Sequence, residues 1–331
     1  MLLAFLGSAA RPEIQDVLAK VAARLELFSV GRLVFFGVSA DPTDESTGRL
    51  QQRGAAFQFF FDTDLAVSRL YGALAPAPDG TGHAYVPHLL LLDPMLRVVA
   101  TAPLGAVEPM LDLASRLPPI DLHAGVEQPA PALILPRVFE REFCRRLIEL
   151  YERQGGRESG FMREQEGRTV GMVDHGFKRR TDCQIEDEEL RAAFRARLTR
   201  RLVPEIEKVF QFKVTRIERY IVACYDAVTG GHFRAHRDNT TKGTAHRRFA
   251  VSINLNAEEY EGGDLRFPEF GARLYRAPTG GCVVFSCSLL HEVVPVTRGK
   301  RYATLPFLYD DAAARIRDQN RAFLGAADQA A

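Results

Sequence analysis

The chain has almost no net charge, no apolar run of membrane length, and few cysteines, none of them before Cys144. Lys and Arg number 43 against 42 Asp and Glu, a formal net charge of +1. No global field therefore argues for a nucleic-acid partner or an anionic membrane. Spanning a bilayer takes about 20 consecutive apolar residues, and no run approaches that. The five cysteines (Cys144, Cys183, Cys224, Cys282 and Cys287) are odd in number, irregularly spaced and free of any CxxC pair. That pattern fits a reducing cytoplasm and small buried hydrophobes better than a disulfide framework. The opening MLLAFLGSAARP has no basic residue ahead of its apolar run, which stops at Leu6, so it reads as a buried strand rather than a secretory leader. Internal repeats and low-complexity tracts are absent too.

What is present divides in two. A length of 331 residues exceeds one ordinary core and calls for two domains. In the first third, apolar runs alternate with helical patterns. Leu2–Leu6 and Leu33–Val38 read as strands covered on both faces, and Phe57–Phe61 as a further strand. Pro12 opens a helix carrying Ile14, Val17, Leu18, Val21 and Leu25 at helical spacing. A short helix over Leu65–Leu70, strands at His88–Leu92 and Leu96–Ala100, and a closing helix over Val107–Leu117 complete a β-α-β-β-α-β-β-α order, that of an α/β layer. Pro118, Pro119, Pro129, Pro131 and Pro136 then crowd a short interval that reads as a semi-rigid linker. The expected division is a first domain at 1–118, a linker at 119–132, a second domain at 133–315 and a tail at 316–331.

The second domain begins with an amphipathic helix through Phe139, Phe143, Leu147 and Tyr151, followed by a Gly- and charge-rich loop over Gly155–Gly167. A longer helix runs through Leu190, Phe194, Leu198, Leu202 and Ile206, split near Pro204. From Thr215 onward short β-branched and aromatic runs alternate with turns: Ile217–Tyr225, Phe249–Leu255, Asp264–Phe267, Cys282–Phe285, Glu292–Val296 and Tyr302–Tyr309. Such punctuation predicts a double-stranded β-helix, or jelly roll, within an α+β domain.

Inside that stretch lie His236-x-Asp238, then His291, then Arg301. Two histidines and a carboxylate fill one face of an octahedral iron and leave the other face open. On a strand, His236 and Asp238 share a side. Arg301 is a planar cation suited to the remote carboxylate of a keto-acid. Arg298 and Lys300 beside it read as solvated, and His232 as a rim residue. His246-Arg247-Arg248 and Lys178-Arg179-Arg180 are basic clusters that could steer an acidic substrate, but they read first as solvated turns.

The residues also carry two resemblances. Residues 133 to about 310 resemble the prolyl 4-hydroxylase branch of the Fe(II)/2-oxoglutarate dioxygenases, through IVACYDAVTGGHFRAHRDN, YEGGDLRFPEFG and GGCVVFSCSLLHEVVPVTRGKRYATLPF. The resemblance implies a hydroxylase of C–H bonds, with a prolyl residue as the first substrate and a small metabolite close behind. It implies Fe(II) held by His236, Asp238 and His291, and 2-oxoglutarate held at its far carboxylate by Arg301. It also implies O2 as oxidant, L-ascorbate as auxiliary, and Tyr225 and Asn254 beside the cosubstrate. Asn254 stands where the oxygen-sensing members have a second tyrosine, and Phe233 where a tyrosine is common.

Residues 1 to about 117 resemble the peroxiredoxin branch of the thioredoxin-like fold, through VSADPTDES, FDTDLAVSRLYG and VPHLLLLDPMLRVV. Gly7-Ser8-Ala9-Ala10-Arg11-Pro12 occupies the place of that family's peroxidatic cysteine, so thiol peroxidase chemistry is excluded there and the domain reads as a redox-inactive docking module. That family has a longer segment ahead of the opening strand, which implies a late start for this chain. Two other functions compete: a degenerate, non-catalytic binding protein, and a thiol redox protein using Cys282 and Cys287. The sequence sets neither the oligomeric state nor the substrate.

Overall fold

The computed structural model describes residues 1–77 and 82–324, so the last residues of the expected tail lie outside the described part. The chain divides into two compact units, one of residues 1–128 with 269–272, the other of residues 129–268 and 273–331. Among the described residues no helix is long and apolar enough to cross a membrane.

The first unit runs β1 (Leu2–Gly7), α1 (Pro12–Ala22), β2 (Phe35–Ser39), α2 (Pro42–Ser46), β3 (Phe57–Phe61), α3 (Ala66–Leu70), β4 (Leu74–Pro76), β5 (His83–Tyr85), β6 (His88–Leu92), β7 (Val98–Pro103) and α4 (Val107–Ser115). Its main sheet has the order β3-β2-β1-β6-β7. Strands β1, β2 and β3 are parallel, while β6 and β7 run antiparallel to their neighbours. Leu2, Ala4 and Leu6 of β1 pack with Ile14, Val17 and Val21 of α1 and with Val107 and Leu111 of α4. Leu3 and Phe5 join a separate cluster. Both faces of β1 are covered, which explains its unbroken apolar run. The sequence pattern misses α2 and the β4–β5 hairpin, because each is too short for a period to register.

The second unit continues with β8 (Leu133–Leu135), α5 (Arg141–Gln154), β9 (Arg157–Glu158), β10 (Phe161–Gln165), β11 (Arg168–Met172), β12 (Lys178–Arg179), β13 (Thr181–Gln184), α6 (Glu188–Arg201) and α7 (Val203–Phe210). Pro204 sits in the first turn of α7, where its missing N–H costs nothing, so the helix splits there instead of kinking. Then follow β14 (Arg216–Glu218), β15 (Ile221–Asp226), β16 (His232–His236), β17 (Phe249–Asn254), β18 (Glu261–Gly262), β19 (Leu265–Arg266), β20 (Leu274–Tyr275), β21 (Cys282–Ser286), β22 (His291–Val293), β23 (Val296–Arg298), β24 (Lys300–Thr304), β25 (Phe307–Tyr309) and α8 (Asp311–Asn320). The α8 helix crosses residue 316, where the sequence reading begins a tail.

Two large antiparallel sheets carry this unit, with the β10–β11 and β18–β23 pairs beside them. The larger has the order β14-β25-β17-β24-β15-β13-β9, with β21 pairing β17 and β8. The smaller has the order β12-β16-β22-β19-β20. Alternation along the larger sheet assigns its faces. Val222, Cys224, Val251, Ile253, Val284 and Tyr302 point to a core shared with Phe143, Leu147, Phe194 and Leu198 of the helices. Tyr225, Ser252, Phe285 and Arg301 therefore project from the opposite face, toward the smaller sheet. Phe285 meets His291 of the smaller sheet with ring centroids 4.6 Å apart. The Gly155–Gly167 stretch, read as a loop, contains one arm of the β10–β11 hairpin. Its two turn residues, Glu166 and Gly167, both have positive φ (50° and 74°), the backbone that a tight hairpin of this hand requires.

Candidate metal and keto-acid site

Strand pairing brings the two histidines together. His236 at the end of β16 and His291 at the start of β22 are direct cross-strand partners, and their rings lie 4.3 Å apart. Asp238 lies past the strand end, in a turn, which differs from the strand position expected for it. Its N–H donates to the Cys287 carbonyl (3.0 Å), and this bond holds the turn against the end of β21. The carboxylate then reaches both imidazoles, with Oδ1 3.5 Å from His236 Nε2 and Oδ2 3.3 Å from His291 Nε2. One ligand atom from each of His236, Asp238 and His291 lies within 4.8 Å of the others.

The backbone fixes both tautomers. His236 Nδ1 is 2.7 Å from the Arg234 carbonyl, and His291 Nδ1 is 3.0 Å from the Leu289 carbonyl. A carbonyl only accepts, so each Nδ1 carries the proton and each Nε2 turns a lone pair toward Asp238. Burial, then the neighbouring His236, push His291 down to about 4, so it is neutral near pH 7. Burial pushes Asp238 the opposite way, but His291 and His236 outweigh it and hold the carboxyl well below its ordinary range. Two imidazoles with Nε2 inward and an ionised carboxylate facing one point form the donor set of a three-ligand facial site with open positions. Phe233 lies flat on His236, with centroids 3.5 Å apart, and stiffens the ring that Arg234 orients.

Arg301 is 2 % exposed and stands opposite Tyr225 in the β24–β15 pairing. Its Nη2 donates to Ser252 Oγ (2.8 Å) and, at 3.4 Å, to Asn254 Oδ1. Its Nε and Nη1 are buried and have no acceptor. Leaving a buried charged donor unmade is costly, so the guanidinium keeps N–H groups on two edges for an anion. A planar carboxylate fits it. Gly263 makes room for the arginine stem: its φ is +67°, and a Cβ there would come 3.1 Å from Arg301 Cδ and 2.8 Å from Val296. Asn254 spends its amide N–H₂ on the Ala277 carbonyl (2.7 Å) and turns its oxygen to Arg301, so it supports the arginine. Tyr225 is buried, with the guanidinium of Arg301 5.2 Å from its ring centroid.

Several charged groups beside the site escape the sequence pattern. Lys178 and Arg180, expected in a solvated turn, are 5 % and 7 % exposed. Arg180 pairs with Asp182 through both carboxylate oxygens (2.7 and 2.6 Å) and donates to Tyr225 Oη at 3.4 Å. Burial opposes the charge of Asp182, but Arg180 and Arg219 hold its carboxyl at about 2. His246, also expected in solvent, is 2 % exposed, and its Nε2 lies 2.6 Å from Glu218. Arg247 donates to the other Glu218 oxygen at 2.7 Å. Acidic partners permit this burial: Asp182, two residues beyond Arg180, and Glu218 on β14, remote in sequence from His246 and Arg247. Arg298 and Lys300 are exposed as expected, and His232 is half-buried with both ring nitrogens near backbone carbonyls. Lys178, Tyr225, His236, Asp238, Ser252 and His291 all line one cavity of about 1560 Å³.

Comparison with known proteins agrees with this site. Residues 220–309, spanning β15 to β25 and including the triad and Arg301, match the model of the 2OG-Fe(II) oxygenase superfamily. A PKHD-type hydroxylase of Pseudomonas fluorescens is 38% identical over 112 residues, covering 31% of this chain and 47% of the relative. A PKHD-type hydroxylase of a Synechococcus strain is 31% identical over 98 residues, covering 28% and 43%. The chain thus spans about half the length of the curated relatives it matches. Among solved structures, a prolyl hydroxylase of Trichoplax adhaerens aligns with 57% of this chain and 86% of its own, at 16% identity and a TM-score of 0.43.

Proposed function

We propose that the second unit is an Fe(II)- and 2-oxoglutarate-dependent dioxygenase that hydroxylates a C–H bond and releases succinate and CO2. One observation carries this reading: the three-ligand cluster lines the cavity, and Arg301, a buried arginine that keeps two N–H groups unmatched among the described residues, bonds to Ser252, which lines the same cavity. His236, Asp238 and His291 would hold the iron, and Arg301 the far carboxylate of the keto-acid, with Ser252 and Asn254 bracing its guanidinium. When bound, iron would activate O2, and its four-electron reduction would draw two electrons from the keto-acid, decarboxylated to succinate, and two from the substrate, which gains a hydroxyl. The chain's own contribution is positional. The Arg234 and Leu289 carbonyls hold two imidazole protons away from the ligand point, the Arg180–Asp182 pair fixes Tyr225, and buried walls exclude water.

In this reading a prolyl residue of a peptide is the first substrate to try, with small molecules next and L-ascorbate as an auxiliary reductant. The first unit is a thioredoxin-like module without a thiol nucleophile. A β7-β6-β1-β2-β3 order with two antiparallel strands at one side supports that, as does Ser8 at the entry to α1. A thiol-based activity at Cys282 and Cys287 is disfavoured. Both are buried, and burial pushes Cys282 up to about 12 and Cys287 well above its usual value, the reverse of a reactive thiolate.

The test is succinate formation from 2-oxoglutarate with Fe(II), ascorbate and no added substrate. Uncoupled turnover that disappears in His236→Ala and Asp238→Ala is expected. Equal turnover in those variants, at equal folding, would remove the metal assignment.

A further inference from the structure

Lys178 is a buried amine with no ion-pair partner among the described residues. Its Nζ donates to two neutral oxygens, Ser159 Oγ at 2.8 Å and the Gly160 carbonyl. Ser159 is already committed, since it also accepts from Arg180 (2.9 Å) and donates to Asp182 (2.5 Å). No ion pair of Lys178 occurs among the described residues, although Arg180, Arg219 and Arg247 in the same wall each have an acidic partner. Asp182 serves both Arg180 and Arg219, so three basic groups here share a single carboxylate. The amine sits 4.8 Å from the centroid of Phe233, whose other neighbour is the stacked imidazole of His236. Lys178 therefore stands one aromatic ring away from the proposed iron ligands and lines the same cavity.

A buried charge without a counter-charge is expensive unless a ligand supplies one. The iron and keto-acid do not balance it. A divalent cation, the Asp238 carboxylate, the Arg301 guanidinium and a dianionic cosubstrate sum to zero, so Lys178 becomes an ammonium only when a further anion meets it. The geometry points to Lys178 as the specificity residue for a substrate bearing a carboxylate, which its ammonium holds while a C–H bond of the same molecule faces the ligand cluster. This rests on the oxygenase reading above. Burial, then Arg180, push Lys178 down to about 5 in the protein by itself, and an anion against Nζ relieves the first cause and offsets the second. The carboxylate comes either from a free acid or from an Asp or Glu side chain of a peptide.

The experiment uses the full chain loaded with Zn(II), a redox-inert substitute, and saturating 2-oxoglutarate. Calorimetric titration compares acetate with acetamide, and a blocked Gly-Asp-Gly peptide with its Asn counterpart, with inorganic phosphate as a further arm. Binding of the acids at least ten-fold tighter than their amides is expected in the wild type. Lys178→Arg keeps that preference and Lys178→Met loses it. The stronger of the two acidic probes identifies the source of the carboxylate. Acids no better than amides, an acid preference that persists in Lys178→Met, or binding of phosphate alone each overturns the assignment. Wild-type succinate formation without substrate is measured in parallel. Its absence defeats the oxygenase reading, whatever the acid preference.

Discussion

Replacing Arg301 by lysine separates charge from shape at the keto-acid end of the site. Lysine keeps the positive charge but presents one ammonium in place of a planar fork. In the wild type Nη2 donates to Ser252, while Nε and Nη1, on different edges of the guanidinium, each keep N–H capacity for an anion. A hydrogen bond to a charged group contributes about 1.5–3 kcal/mol. Losing one of the two therefore raises the 2-oxoglutarate requirement by about 10- to 150-fold, since 1.4 kcal/mol is about a factor of ten. The proposed metal ligands lie on other elements, so iron affinity should change by less than about two-fold, as expected for separated sites. The assay is succinate release against 2-oxoglutarate concentration at saturating Fe(II), with metal binding measured alongside and far-UV circular dichroism as the folding control. A KM for 2-oxoglutarate unchanged within two-fold, in a folded variant, would falsify the assignment of Arg301. A fall in iron affinity equal to the rise in KM would show instead that the variant disorders the whole site.

Other perturbations test the supporting charges. Glu218→Gln strips Arg247 and His246 of their buried acceptor and should cost about 3–5 kcal/mol in urea unfolding; a loss below about 1 kcal/mol means the triplet is solvated. Asp182 has its folded-state pKa depressed from 3.8 to about 2, so its contribution is complete above pH 4 and disappears as pH falls toward 2. That is on the order of 2 kcal/mol, and an Asp182→Asn variant should show a correspondingly flatter acid limb. Lys178 has its folded-state pKa lowered from 10.5 to about 5, so the unfolded chain binds more protons between those values and this residue makes stability rise with pH. Lys178→Met should remove that slope between pH 6 and pH 9; an unchanged slope means the ammonium is already matched. Gly263→Ala, strained at φ +67° and crowding Arg301, should raise the 2-oxoglutarate KM without altering metal affinity.

The parts of the site legible in the sequence are those whose chemistry is local or whose residue types are rare together. His236, Asp238, His291 and Arg301 stand out because few structural demands call for that set in one β-rich stretch. Element type was equally legible where one period dominates: β3 spans Phe57–Phe61 as expected, and the α6–α7 split falls at Pro204. The Ile217–Tyr225 run was read as one strand, yet it breaks at Arg219, whose φ of 71° no residue type there announces. The same turn carries the Arg219 guanidinium to Asp182 at 3.4 Å. Asp238 was placed on a strand because HxD fits a period of two, whereas the chain leaves the strand after His236 and a bond to Cys287 decides where the carboxylate goes.

The basic triplets failed for a common reason. A run such as Lys178-Arg179-Arg180 says solvent only if no acid waits for it: Glu218 is remote from His246 and Arg247, whereas Asp182 stands two residues beyond Arg180. Arg179 keeps the surface position, while Arg180 is drawn inward by the bidentate bond to Asp182. Lys178, two residues before Arg180 on an edge strand, points to the same side by alternation and is carried in with it. Its burial is thus imposed by a neighbour's ion pair, and a fold that needed only stability would place methionine or leucine there at less cost. That a lysine stands in this position, one ring from the ligand cluster, is the physical reason to look for an acid among the substrates.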